Sequence, residues 1–145
     1  GNLEYVIRLK DLWDDSKTNI SVRRGDREYY FRTAIGWSQV GNSQKSFRYT
    51  SHTVCGTATP TIYVKNEGWY SYILAFLNTK IAYEYLSAFN PTINLLTTDI
   101  CNIPLLESAM WKAKVKNLCL ENVKGSQKDW DSYETSWDFK RNPLV

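Results

Sequence analysis

Basic side chains are concentrated in the N-terminal third of the chain, where their chemistry would be the binding of negative charge. Between positions 17 and 48 the sequence has seven cations and two anions, although the whole chain carries a net charge of only +3. These cations are Lys17, Arg23, Arg24, Arg27, Arg32, Lys45 and Arg48. Residues 129–139, in contrast, contain four acids and no base. The asymmetry favours a polyanionic partner for the basic stretch, with a solvated charged surface as the alternative.

Motifs that carry catalysis in common enzyme classes are absent from the sequence. It contains no G-x-x-x-x-G-K-[ST] or G-x-G-x-x-G phosphate-binding loop and no G-x-S-x-G nucleophile motif. A Ser-His-Asp triad would depend on His52, the single histidine. The Asp-x-Lys of WDFK (137–140) lacks the preceding Pro-Asp of a metal-dependent nuclease. We therefore expect no catalytic site and no metal site in this chain.

The cysteine pattern and the hydropathy favour a cytoplasmic protein. Cys55, Cys101 and Cys119 are widely spaced and form no C-x-x-C pair, which indicates reduced cysteines and neither a zinc site nor a disulfide framework. No run of eighteen apolar residues would span a membrane. The first residues, GNLEYVIRLK, lack the apolar region of a signal peptide. We expect no contact with a membrane.

The elements that must position the basic residues are short strands. Short β-like runs are predicted at REYYFRTA (27–34), which is rich in Tyr and Phe, and at GWSQV (36–40). KSFRYTS (45–51) alternates polar and aromatic residues, and TIYVK (61–65) is β-branched and aromatic. Residues 69–89 are apolar on nearly all sides and contain no Pro or Gly, which predicts one long buried helix. Pro91 ends this helix, and TINLL (92–96) predicts a further strand.

The remaining third of the chain predicts helices. TTDICNIP (97–104) is predicted to be a short turn capped by Thr or Asp and ended by Pro104. A second helix is expected over about 106–122, and a third begins at Ser126, with Asp129 in its first turn. The order of elements indicates an α+β fold. A small, mostly antiparallel sheet would pack on a long buried central helix, with further helices at the C-terminus.

Three stretches resemble the target-recognition region of BREX-type and type IIG adenine-specific DNA methyltransferases. YYFRTAIGWSQV (29–40) is similar to the opening segment of this region, where a Tyr/Phe pair leads to Trp-Ser. Residues 72–105 resemble its helix, its asparagine-proline-threonine strand and its asparagine-isoleucine-proline turn, which type I restriction specificity subunits share more loosely. KDWDSYETSWDFKRNPLV (128–145) resembles a run in the large methyltransferases of BREX phage-defence systems, and this motif is the most specific.

The resemblance covers roughly residues 27–145 and implies a target-recognition piece excised from a larger methyltransferase of a phage-defence or restriction-modification system. The catalytic asparagine-proline-proline-tyrosine motif of these enzymes lies upstream, and NPTI (90–93) does not match it, so catalysis is not carried over. We expect no cofactor here, since S-adenosylmethionine would bind elsewhere in the parent protein. The implied partners are double-stranded DNA, with an adenine flipped out for methylation, and the methyltransferase domain of the same parent chain.

On this interpretation the chain divides into a lead-in segment (1–18), a target-recognition core (19–105) and a C-terminal helical segment (106–145) that is truncated. Lys and Arg would neutralise phosphates, and polar side chains would read base edges. The expected DNA-binding residues are Arg23, Arg24, Arg27, Asn42, Ser43, Gln44, Lys45, Arg48 and Lys65.

Two groups within this set have different expected roles. Arg23, Arg24 and Arg27 precede the first strand and are expected at phosphates, whereas the later cations lie on or beside strands and reach a groove. The loop GNSQ (41–44) has a composition suited to adenine edges, and an ordinary hairpin turn is the alternative.

The acidic C-terminal helix is expected to face away from DNA, because carboxylates repel phosphates. Trp130 and Trp137 either cover an interface with the missing part of the parent protein or pack on the domain's own helices. Trp37 and Trp69 are expected in the core. A protein-interaction or scaffold domain without nucleic-acid contact remains the alternative function.

Overall fold

The computed structural model describes residues 8, 10, 26–41, 45–54, 56–106 and 108–143. Within them the strands are β1 (Ala34–Trp37), β2 (Phe47–Thr50) and β3 (Thr61–Ile62), and the α-helices are α1 (Tyr70–Leu77), α2 (Lys80–Phe89), α3 (Thr97–Cys101) and α4 (Ala109–Trp130). Short 3₁₀-helices at Arg27–Tyr29 and Glu67–Trp69 precede β1 and α1. The predicted α+β class, with an antiparallel sheet and a C-terminal helix, is confirmed.

The sheet has the order β2-β1-β3, with β1 antiparallel to both neighbours. Because side chains alternate between the two faces of a strand, Ile35 and Trp37 share one face with Phe47 of β2. Gly36 faces the other way, opposite Arg48. A Cβ at Gly36 would lie 3.2 Å from the Thr50 Cγ2 atom, so glycine lets β1 and its neighbours lie this close.

The hydrophobic core lies between the sheet and the helices. It contains buried side chains of β1, β2, α1, α2, α3, α4 and the connections between them: Ile35, Trp37, Phe47, Leu74, Leu77, Leu86, Leu95, Ile100, Ile103 and Cys119. Trp37 is 1% exposed, which confirms its predicted place in the core, whereas Trp69 is half-buried. An aromatic side chain of this size contributes a large share of the apolar area that a small domain buries.

The stretch predicted as one long buried helix, 69–89, is divided into α1 and α2. Asn78 ends α1, and the side-chain oxygen of Thr79 caps α2 by accepting a hydrogen bond from the Ala82 N–H at 3.3 Å. Asn and Thr favour such local bonds over a helix interior. Burial is also less complete than predicted, since Ala82 and Leu86 face the core while the outer side of α2 is exposed.

Residues 92–96 form no regular strand, contrary to the prediction. A single antiparallel bridge, Val40 with Asn94, connects this segment to the chain after β1. The predicted cap of α3 is also corrected, because Leu96 occupies the N-cap position. Asp99 stabilises the helix start from the first turn, where its carboxylate accepts a hydrogen bond from the Leu96 N–H at 2.9 Å.

The two predicted C-terminal helices are one continuous helix, α4, with Ser126 inside it and not at an N-cap. Packing of Cys119 and Val123 against the core stabilises α4, and Gly125 costs a helix only about 1 kcal/mol relative to Ala. The predicted acidic helix is likewise wrong, because residues 131–138 form turns. Within these turns Ser136 Oγ donates to the Asp131 carboxylate at 2.7 Å.

The N-terminal boundaries differ as well. The predicted strand 27–34 begins as a 3₁₀-helix, whose first turn is capped by the Asp26 carboxylate, and β1 starts only at Ala34. Between the two, Phe31 adopts a positive φ of 62°, which a strand does not allow. The lead-in segment 1–18 lies outside the described residues apart from Arg8 and Lys10, so its separation from the core stays a prediction.

Candidate functional site

The connection between β1 and β2, residues 38–46, is anchored by a second part of the chain. The Leu95 N–H donates to the Gln39 carbonyl at 2.7 Å, and the Gly41 N–H donates to the Ile93 carbonyl at 3.2 Å. We call residues 93–95 the support segment. It lies against the first half of the connection and holds the residues that precede position 42 by these two hydrogen bonds.

Lys45, which follows residues 42–44, also binds the support segment. Its ammonium group donates to the Ile93 carbonyl at 2.8 Å and to the Gly41 carbonyl at 3.1 Å, and the residue is half-buried. An ammonium group has three donors. Two of the three therefore bind the protein's own carbonyl groups, and the predicted reach of Lys45 into a groove stays a prediction.

The support segment is fixed in turn by side chains of the core and of the α2–α3 connection. The Trp37 indole N–H donates to the Leu95 carbonyl at 3.0 Å in a buried hydrogen bond. The Asn90 amide donates to the Asn94 carbonyl at 2.9 Å and to the Asp99 carboxylate at 2.7 Å. A continuous network of hydrogen bonds thus connects the end of α2, the start of α3 and the β1–β2 connection.

Arg48, on β2, is an exposed cation three positions after Lys45. It pairs in register with Gly36, and its guanidinium donates to the Ser38 hydroxyl at 3.0 Å. A guanidinium carries five N–H donors, so this bond uses one of them. The groove contact predicted for Arg48 stays a prediction.

Arg27 and Lys65 lie at the opposite end of the sheet. β2 and β3 both run antiparallel to β1, so the residues after β3 lie beside those before β1. The Tyr63 hydroxyl donates to the Tyr29 carbonyl at 3.1 Å, and the two rings are 4.7 Å apart. The described cations of the predicted site thus form two groups, Lys45 with Arg48 at one end and Arg27 with Lys65 at the other.

The other predicted site residues, Arg23, Arg24, Asn42, Ser43 and Gln44, lie outside the described residues. For the last three the structure describes both neighbours, Gly41 and Lys45, whose carbonyl and ammonium groups bind each other. The two interpretations of this loop, base reading or an ordinary turn, both require such closely spaced ends.

Several candidate residues were missed by the sequence analysis. Ser38, which binds Arg48, is signalled only by the register of two strands, and that register is not visible in the sequence.

The basic character of α4 was visible but overlooked. α4 contains five lysines and only two acids, Glu121 and Asp129. The lysines are Lys112, Lys114, Lys116, Lys124 and Lys128. Lys112 makes a cation–π contact, since its ammonium nitrogen lies 3.8 Å from the centre of the Trp69 ring.

Large apolar side chains are exposed on α4 and beyond it. Met110 and Trp137 are 75% and 74% exposed, and Trp111 and Leu118 about half. Of the two interpretations of the C-terminal tryptophans, packing on the domain's own helices does not hold for Trp137, and Trp130 is 43% exposed. Exposed aromatic groups of this size are typical of contact surfaces.

The described residues include neither a cluster of metal ligands nor a membrane-spanning helix. No group of three or more His, Cys, Asp or Glu side chains is placed to hold a metal ion there. In the same part of the chain, every helix is too short or too polar to cross a lipid bilayer.

Comparison with known proteins gives two related sequences, while no protein-family model matches. The chain is 27% identical over 153 residues to the adenine-specific methyltransferase PglX of Lacticaseibacillus casei (strain Zhang). It is 26% identical over 148 residues to the adenine-specific methyltransferase BrxX of Escherichia coli O9:H4 (strain HS). Both alignments include all of this chain, but it spans only 13% and 12% of these relatives. The chain is therefore similar, from end to end, to a small part of two much longer methyltransferases.

Proposed function

We propose that the chain is the DNA target-recognition segment of an adenine-specific methyltransferase of a BREX-type phage-defence or restriction-modification system. The observation that carries the proposal is the similarity of the whole chain to 13% and 12% of two adenine-specific methyltransferases. The sequence has none of the catalytic motifs considered above, so binding fits this segment better than methyl transfer. S-adenosylmethionine would be held by another part of the parent protein, which would carry out the reaction.

The composition of residues 42–44 and the hydrogen bonds of their described neighbours support recognition of bases. Reading a base edge requires polar side chains held within about 0.5 Å of their productive position by a rigid support. In the sequence, Asn42, Ser43 and Gln44 come between Gly41 and Lys45. These two neighbours bind each other, and both bind the Ile93 carbonyl of the support segment. Asn and Gln side chains match the N6 and N7 groups of adenine in the major groove.

The two groups of cations support contacts with the phosphates. A four-residue strand such as β1 is about 13 Å long, and the DNA major groove is about 12 Å wide. Arg48 at one end of the sheet, with Arg27 and Lys65 at the other, would then face phosphates on the two sides of a groove. Such contacts provide affinity and orientation without reading the sequence.

The exposed side of α4 is proposed to contact the methyltransferase part of the parent protein. Trp111 and Leu118 lie seven residues apart on one side of the helix, and Met110 precedes them. An apolar surface of this kind suits a protein partner better than DNA, because interface cores are enriched in aromatic residues and Met. The acidic turns after α4, with Trp137, would extend the same contact.

A binding selection tests the proposal. The chain is incubated with duplexes that share a randomised centre, and the bound duplexes are recovered and sequenced. We expect the recovered duplexes to share a short motif. A variant with Ala at positions 42, 43 and 44 should still bind duplexes but recover no motif. Recovery of bound duplexes with no shared motif by the unaltered chain would contradict target recognition.

A protein-interaction domain without nucleic-acid contact is the second candidate function, and the exposure of Met110 and Trp137 favours it. This alternative predicts that no duplex is recovered at any salt concentration. It also predicts association with a protein partner that salt barely changes and that Trp137→Ala weakens. Phosphate-dependent binding, by contrast, falls steeply as salt rises.

A further inference from the structure

We infer that Phe31 is a DNA-inserting residue, whose ring enters between two neighbouring base pairs, an inference that rests on the proposed function. Phe31 adopts a φ of 62°, and its side chain is 52% exposed. The left-handed region is unfavourable for an aromatic residue, because its Cβ comes too close to the backbone. Burial in the core does not offset this strain, since half of the side chain is exposed.

A second strained residue, His52, lies on the neighbouring segment. Its φ is 57°, its side chain is exposed, and among the described residues only these two have a positive φ. The Phe31 N–H donates to the Thr53 carbonyl at 3.1 Å, which holds the two segments together. Strained conformations persist only where the surrounding structure enforces them, and they cluster at functional sites such as ligand clamps. The pair therefore marks this end of the sheet as a contact site.

Cations lie at the same end of the sheet as Phe31. Arg32 follows it directly and is exposed, and the exposed side chains of Arg27 and Lys65 belong to this end as well. Two acids precede the ring in the sequence, Asp26 and Glu28. The exposed aromatic side chain is thus accompanied by groups that bind negative charge.

Duplex DNA matches this combination of groups. Its phosphates bind exposed Arg and Lys side chains, and the faces of its bases stack on aromatic rings. Proteins that unstack and bend a duplex insert apolar side chains such as Phe between base steps. The enforced backbone of Phe31 would hold the ring in place, which lowers the conformational freedom lost on insertion.

The test compares binding to two duplexes, one fully paired and one with a single mismatched base pair at its centre. A mismatch lowers the free energy needed to unstack the bases, so an inserting side chain favours the mismatched duplex. The unaltered chain should bind the mismatched duplex about tenfold more tightly than the paired one. Phe31→Gly should lose this preference, while the salt dependence of binding stays the same because no charge is removed.

Control variants separate insertion from a structural role. Phe89→Ala is the matched control and should keep the preference, since Phe89 on α2 is 51% exposed and Phe31 is 52% exposed. Phe31→Tyr keeps the ring and should also retain the preference. Phe31→Gly should not lower the midpoint of thermal unfolding, because glycine adopts a positive φ without strain. If that variant does not unfold cooperatively, Phe31→Asn, which also tolerates the left-handed region, takes its place.

Two results would overturn the inference alone. One is equal binding of the unaltered chain to the paired and mismatched duplexes. The other is an unchanged preference for the mismatched duplex in Phe31→Gly, which would leave DNA binding in place without insertion of this ring. Failure of the unaltered chain to bind either duplex would instead overturn the proposed function, and this inference with it.

Discussion

Single polar side chains join the regular elements of this protein. The Asn78 amide accepts from the Phe47 N–H at 3.0 Å and donates to the Phe47 carbonyl at 3.0 Å, as a neighbouring strand would. It also donates to the Leu74 carbonyl at 2.9 Å, at the end of α1. Asn90 and Trp37 act similarly on the support segment. The sequence analysis assigned these residues to helix, turn and core, but it did not predict their partners, which are up to 58 positions away.

Asn78→Ala is expected to lower the free energy of unfolding by about 1–3 kcal/mol, because both backbone groups of Phe47 lose their partner. Asn117→Ala, on the exposed side of α4, is the control and should change stability by less than about 0.5 kcal/mol. Urea denaturation followed by circular dichroism measures both. Equal midpoints for the two variants would show that the Asn78 amide does not stabilise β2.

Cys119 is expected to react with iodoacetamide much more slowly than the exposed Cys101. Burial raises the pKa of the Cys119 thiol, so a smaller fraction is present as thiolate at neutral pH, and the thiolate is the nucleophile. Peptide mapping by mass spectrometry reports the two sites separately. Similar rates in the native protein would mean that α4 does not cover Cys119, whereas similar rates in urea are expected.

At the scale of elements, the sequence predicted which stretches form strands and helices better than where they end. The alternation at 45–51 located β2, and the β-branched and aromatic run 61–65 located β3, since these patterns are local. β1 instead joins the ends of two stretches, 27–34 and 36–40, that were predicted as separate strands. The break after α1 was missed because its cause is the bond from Asn78 to β2. The continuity of α4 was missed because Gly125 and Ser126 resemble a helix boundary, while packing of Cys119 and Val123 stabilises one helix. Tertiary contacts determined both outcomes.

Gly125→Ala is expected to raise the free energy of unfolding by about 0.5–1 kcal/mol. Gly125 lies within α4, and a Cβ built there meets no atom within 4 Å, so the substitution gains helix propensity without a clash. Thermal denaturation measures the effect.

Gly36→Ala provides the matched control for Gly125→Ala. Its Cβ would lie 3.2 Å from Thr50 Cγ2 in the buried part of the sheet, so this variant should be less stable than the unaltered chain. Destabilisation by Gly125→Ala would argue against a continuous α4.

At the scale of the whole molecule, the charged residues are arranged by strand pairing. The described cations of the predicted site lie toward opposite ends of the sheet, Lys45 and Arg48 at one end and Arg27 and Lys65 at the other, and Lys45 binds the protein's own carbonyl groups. Lys45 and Arg48, both named from the sequence, therefore differ in their hydrogen-bond partners although they share a charge. The charge counts made for residues 17–48 and 129–139 left out most of α4 and its lysines at positions 112, 114, 116 and 124.

Binding of the chain to a random-sequence duplex, at about 50 and about 200 mM salt, tests DNA contact most directly. The unaltered chain should bind in the micromolar range at the lower concentration and at least about tenfold more weakly at the higher one. Arg48→Glu should weaken binding and make it less dependent on salt, while Lys140→Glu, outside both groups of cations, is the control for net charge. A folded chain that does not bind the duplex at the lower salt concentration, or binds equally at both, would contradict the account.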